Sequence, residues 1–119
     1  MKKIEAIIRK TKFEEVREAL TGAGIEWYTY SEVRGVGKSR QERIYRGVIY
    51  DTSYIERIRI SIVLSDESVQ PTVEAIVKAA HTGEIGDGRI FVSPVEEAYR
   101  IRLGDSSSQT QYIETRNKK

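Results

Sequence analysis

RIRISIVLSDESVQPTVEAIVKAAHTG, residues 57 to 83, changes its hydrophobic period half-way along. In the first part Ile58, Ile60, Ile62 and Leu64 alternate with Arg57, Arg59, Ser61 and Val63, and a period of two puts the isoleucines on one face of a strand. In the second part Val69, Val73, Ile76, Val77 and Ala80 recur at helical intervals and form one apolar stripe. Pro71 has no N–H to donate and suits only a first helical turn, so the helix is predicted to start at Ser68, with Gly83 as its stop.

Working outward, Lys3 to Arg9 alternates with strand spacing, Ile4, Ala6 and Ile8 on one side and Glu5, Ile7 and Arg9 on the other. Thr11 and Glu14 have the spacing of a capping box, and Phe13, Val16, Ala19 and Leu20 then follow a helical period until Gly22 and Gly24. Ile25 to Val33, rich in aromatic and β-branched residues, reads as a second strand. Beyond the second helix, Ile90, Val92 and Pro94 alternate with Phe91, Ser93 and Val95, and Ala98 to Leu103 reads as a short fifth strand. The order predicts an α+β fold of ferredoxin-like type, βαββαβ with an extra C-terminal strand, both helices covering one face of an antiparallel sheet. The other face mixes Glu5, Arg9, Arg57 and Arg59 with Ile7, Val63 and Phe91. That mixture suits burial against further copies of the chain, with a solvated face as the alternative.

With 119 residues the chain is one domain's worth. Twenty basic against 18 acidic residues leave a net charge of +2, which implies no strong polyanion partner. There is no cysteine, so thiolate chemistry and disulfides are excluded, and a single histidine, His81, is better placed as a helix-end cation than as a ligand or base. No apolar run reaches membrane-spanning length and MKKIEAIIRK lacks a signal-peptide core, so a cytoplasmic protein, not itself membrane-inserted, is expected.

Two segments stand apart. Residues 35 to 54, GVGKSRQERIYRGVIYDTSY, form a long connection without sustained period, read either as a functional loop or as an extended hairpin. HTGEIGDGRIF, residues 81 to 91, concentrates glycines before Arg89; it reads as a plain turn or as a nest of amides for an anion. Arg100 and Arg102, two apart on the predicted last strand, would project from one side and suit a phosphate chain, or else lie on a solvated edge.

The run Thr82 to Val95, TGEIGDGRIFVSPV, together with MKKIEAIIR, SEVRGVG, VEAIVKAAHTG, VEEAYRIR and Tyr45-Arg46-Gly47, resembles the PII nitrogen-regulatory signal-transduction proteins over residues 1 to 105. The resemblance implies a compact homotrimer that binds ATP or ADP, with Mg accompanying ATP, in clefts between subunits. It also implies regulation of a membrane transporter or metabolic enzyme through a T-loop at about 36–55, and recruitment to the membrane only by way of a transporter. It maps a phosphate-binding B-loop on 82–89, with Thr82, Gly86, Asp87, Gly88 and Arg89, and a C-loop on about 100–105, with Arg100 and Arg102 from the neighbouring subunit. Thr29 and Val63 match residues beside the adenine and Gly35 and Gly37 the base of the T-loop, and these four together with Lys38 are expected nucleotide contacts. Residues 106–119 fall outside the resemblance and read as a flexible polar tail.

The chain departs from the family pattern inside the long connection. A glutamine that helps hold Mg, ATP and 2-oxoglutarate is replaced by Ser39, whose hydroxyl lacks the amide oxygen's reach. Arg57 stands at the position of a lysine that meets the 2-oxoglutarate carboxylate and is the candidate effector contact. These changes predict weak or absent 2-oxoglutarate sensing; a typical ATP, Mg and 2-oxoglutarate responder is the alternative. Tyr50 aligns with the tyrosine that the family modifies, but Val48 and Ile49 break the surrounding pattern. No catalytic residues, catalytic cofactor or side-chain metal site are predicted. An RNA-binding module of the same topology is a distant alternative, disfavoured by the low net charge, and no nucleic acid partner is expected.

Overall fold

The structure, a computed structural model, describes residues 1–36, 42–45, 48–51 and 54–107. Four strands make one antiparallel sheet in the order β2 (Thr29–Val36), β5 (Tyr54–Leu64), β1 (Lys2–Arg9) and β6 (Gly88–Pro94). Helices α1 (Phe13–Gly22) and α2 (Asp66–Ala80) connect β1 to β2 and β5 to β6, which is the expected α+β ferredoxin-like order. Alternation sets the layers: Ile4, Ala6 and Ile8 pair with Ile62, Ile60 and Ile58, and all six are at most 3% exposed. Val16 and Leu20 of α1 and Ile76 and Ala80 of α2 complete this core. Each fully buried isoleucine contributes about 2 kcal/mol. A slip of one residue would bury Arg57 and Arg59 in their place, so this pattern fixes the register.

Both helices differ from expectation at their ends. Lys10–Lys12 form a 3-10 turn, α1 begins at Phe13 behind Lys12, and no side chain caps it; Glu14 instead lies 3.3 Å from Arg17. Ile25 does not open a strand. Its N–H donates to the Leu20 carbonyl at 2.9 Å and that of Gly24, at φ +84°, to Thr21 at 3.0 Å, closing α1 with a Schellman motif. Ile25 thereby joins Leu20 in the core and β2 starts later, at Thr29.

Helix α2 starts at Asp66 after an extended Ser65, and Asp66 and Glu67 give its first turn the negative charge that the helix dipole favours. Pro71 therefore lies beyond the first turn, where it is exposed. Ser68 faces inward, only 5% exposed, and the buried stripe runs through Ser68, Thr72, Ile76 and Ala80, with Val69 and Val73 beside it. Val77, expected in the stripe, is 53% exposed. The helix ends where His81 adopts an extended conformation, before Gly83 is reached.

The predicted fifth strand stops early. β7 (Ala98–Arg100) turns through 101–104 onto β8 (Asp105–Ser107), a two-stranded sheet of its own. Residues 106 and 107, assigned to the tail, belong to this hairpin, and the remainder of the tail lies outside the described residues. Within the long connection β3 (Glu42–Tyr45) pairs antiparallel with β4 (Val48–Asp51), the hairpin alternative. Among the described residues no helix is long and apolar enough to cross a membrane.

Candidate functional site

The segment joining α2 to β6 is organised by one carboxylate. Asp87 accepts the Thr82 and Gly83 N–H groups, both at 2.9 Å, on one oxygen, and on the other it accepts the Thr82 hydroxyl and, at 3.2 Å, Arg9 Nε. The Glu84 N–H in turn donates to the Thr82 oxygen at 3.1 Å. These bonds, the Thr82 hydroxyl foremost and the Thr82 and Gly83 amides next, hold the Asp87 carboxyl well below the usual carboxylate range, although burial pulls the other way. The loop re-enters the sheet at Gly88, with φ +110°, opposite Ile8. A Cβ there would overlap the Ile7 carbonyl oxygen and come 2.9 Å from its carbon, so only glycine fits.

Beneath the loop, Arg9 and Arg57 are direct cross-strand partners on the helix-free face. Two guanidiniums side by side repel and need acceptors between them. Arg9 Nη2 donates to the Ile85 carbonyl at 2.9 Å and Arg57 Nη1 to the Gly86 carbonyl at 2.7 Å, so residues 85, 86 and 87 are gripped in succession. Burial, and then the charge of Arg9, lowers the Arg57 pKa. Arg57 also lies over Gly35, where a Cβ would be 3.3 Å from its Nε. The base of the long connection and the glycine loop thus meet at one guanidinium.

Thr29 and Val63 lie towards the other end of the same face. Thr29 pairs with Ser61 and Gly35 with Ile55, a separation of six positions or about 20 Å; Val63 pairs with Lys3. Arg89, opposite Ile7 and exposed, follows the glycine loop, and Thr82 and Asp87 are within it. β6 leaves the sheet at Pro94, opposite Lys2, so the β7–β8 hairpin follows the end of β6 remote from the loop. Arg100 and Arg102 do not share a strand, because the chain turns after Arg100. Arg100 donates Nε and Nη2 to Asp105 at 3.2 and 2.8 Å, and Arg102 sits exposed in the turn.

Within one chain, then, Gly35, Arg57 and Gly86 to Arg89 come together, whereas Thr29, Val63, Arg100 and Arg102 do not join them. Gly37, Lys38 and Ser39 lie outside the described residues. Tyr50 is in β4, its backbone opposite Arg43. A cleft of about 410 Å³ lies between the last turns of α2 and the start of the edge strand β6, lined by Val73, Val77, His81, Asp87, Arg89 and Ile90 among others. Sequence reading assigned Arg9 to the open face but not to the loop. The available signal was its place opposite Arg57 once the two strands pair.

The Nitrogen regulatory protein P-II family model matches residues 1–105. The chain belongs to this family. A nitrogen regulatory protein P-II of Cereibacter sphaeroides is 48% identical over 107 residues, 89% of this chain and 96% of that protein. The P-II protein of Nostoc punctiforme is 48% identical over 110 residues, covering 92% and 98% respectively. One from Azospirillum brasilense is 48% identical over 106 residues, covering 88% and 95%. As a P-II protein the chain is a signal-transduction regulator, not an enzyme. Its glycine loop and both arginines of the C-terminal hairpin fall inside the matched region.

Proposed function

We propose that this P-II protein is a homotrimeric sensor of adenine nucleotides. ATP, with Mg, or ADP occupies clefts between subunits, with residues 1–105 as the functional domain. In each cleft Thr82, Gly86, Gly88 and Arg89 of one subunit face the phosphates, with Asp87 shaping the loop, and Arg100 and Arg102 of the next subunit close on them. The observation that carries this reading is the separation of the two cationic segments along β6: the loop enters at Gly88 and the hairpin follows Pro94. Residues that cannot converge within one chain can converge across an interface. The exposed bulk of the hairpin and of the middle of β6 supports association, with Ile101 98%, Tyr99 64% and Phe91 50% exposed.

Nucleotide affinity that differs between two states of the 36–55 connection shifts their populations, and that connection docks on a transporter or metabolic enzyme. The setting is cytoplasmic, with membrane recruitment through a transporter target. Sensing of 2-oxoglutarate is weak or absent, because Arg57 already donates to Gly86 and abuts Gly35, so a carboxylate has to displace a formed bond. Titration calorimetry with ATP and ADP, each with and without Mg and 2-oxoglutarate, beside sedimentation, tests the whole reading. Nucleotide binding by a trimer without 2-oxoglutarate synergy is expected. A monomer, or no nucleotide binding, overturns the proposal, and strong synergy overturns its 2-oxoglutarate part alone.

A further inference from the structure

We infer that Asp105 tunes nucleotide affinity by competing with phosphate for the Arg100 guanidinium. This rests on the nucleotide reading above and adds to it an affinity-setting residue outside the phosphate-binding set. Arg100 and Asp105 are direct cross-strand partners of β7 and β8, and the turn between them is closed by the Gly104 N–H donating to the Arg100 carbonyl at 2.7 Å. The short hairpin therefore aims the carboxylate at the guanidinium instead of leaving the meeting to chance. Both carboxylate oxygens are used, at 3.2 and 2.8 Å from Nε and Nη2.

A carboxylate held in this way presents the same pair of oxygens that a phosphate would offer to the same fork of N–H groups, and the fork serves one of them at a time. A polyphosphate arriving at Arg100 has to detach Asp105 and then tolerate its negative charge nearby. The pair is about half exposed, so the opposition is modest and is screened by salt. The hairpin acts as a weak counterweight that keeps the arginine oriented in the empty protein and lowers affinity for the incoming anion.

The test is a set of ATP titrations of the full chain at low and high salt, on Asp105→Asn, Arg100→Ala and the double variant. Asp105→Asn is expected to tighten ATP binding about threefold at low salt, with the gain fading at high salt, and to have no effect in the Arg100→Ala background. Asp105→Glu keeps the charge and is expected to bind as the unmodified chain does. The inference is overturned if Asp105→Asn leaves affinity unchanged or weaker, or tightens it equally without Arg100. It is also overturned if Asp105→Glu tightens binding as much as Asp105→Asn, because hairpin disruption would then be the cause. Arg100→Ala that binds ATP like the unmodified chain defeats the nucleotide reading at Arg100 itself, a result obtained without touching Asp105.

Discussion

At the entrance to β6, Asp87 gathers two backbone amides, a hydroxyl and a guanidinium, while Arg9 and Arg57 take the carbonyls of the two residues before it. After its exit, Arg100 and Asp105 hold each other across a three-residue strand pair. Both segments are rich in charge and carry positive-φ glycines. The entrance uses its charges on its own backbone and is finished inside one chain. The exit presents exposed Tyr99, Ile101 and Leu103 and an exposed ion pair, which is the construction of a surface that adapts to something else. A phosphate site assembled from both would join a preformed cradle to an adjustable clamp.

The largest effect expected from breaking the entrance is at Gly88. Alanine there combines a left-handed backbone with overlap on the Ile7 carbonyl, and a stability loss of about 3 kcal/mol is expected. Urea unfolding at fixed protein concentration measures it, and a loss below about 1 kcal/mol would mean that the loop shifts freely and is not a preformed element.

Asp87→Asn comes next, at about 2 kcal/mol, since an amide keeps one oxygen acceptor and loses the charge that drew in Arg9. The sign with pH follows from the depressed carboxyl. Stability from Asp87 is complete above its ordinary value near 3.8 and drains away as pH falls through the lower folded value. The difference between Asp87→Asn and the unmodified chain should hence be constant at neutral pH and shrink only in acid, as read by thermal melts from pH 2 to 7. A difference that shrinks between pH 5 and 7 would sink the assignment.

Alternation made most of the fold legible: the isoleucines of β1 and β5 specify a strand face without reference to anything distant. Helix ends were less legible because they depend on which residue the backbone chooses as cap. Thr11, Ser68 and Gly83 each carry suitable chemistry, and the chain used Lys12, Ser65 and His81 at those positions in its helices. Glycine content and strand spacing marked the glycine loop and the paired arginines, and the family motifs chose the phosphate reading for both. They could not disclose that Arg9, 78 positions before Asp87, ties that loop down, since the contact exists only once β1 and β6 are neighbours. The single-strand reading of Arg100 and Arg102 failed for a related reason: two of the three residues of β8, the hairpin partner of β7, lay in what composition marked as a polar tail.

Arg57→Met sharpens the comparison with a smaller effect. It removes the bond to Gly86 and, by relieving repulsion with Arg9, returns part of the loss, so the net change should be within about 1 kcal/mol. Amide exchange resolved over 84–88 should nevertheless quicken, because the Gly86 carbonyl is released. Unaltered exchange would remove Arg57 from the group of residues that hold the entrance.

The smallest structural effect is expected at the exit, and it separates the two regions most directly. Arg100→Ala deletes an exposed ion pair and should leave the thermal midpoint within about 2 °C. On the proposed reading the same change weakens ATP binding about tenfold, the scale of losing one charge-assisted contact to phosphate, and Arg102→Ala should act alike. A residue that matters for ligand and hardly at all for folding is what an adjustable clamp requires, whereas Asp87→Asn should damage both together through the shape of the cradle. If Arg100→Ala lowers the midpoint as far as Asp87→Asn does, the hairpin is a structural element in its own right and the contrast between the two ends of β6 disappears.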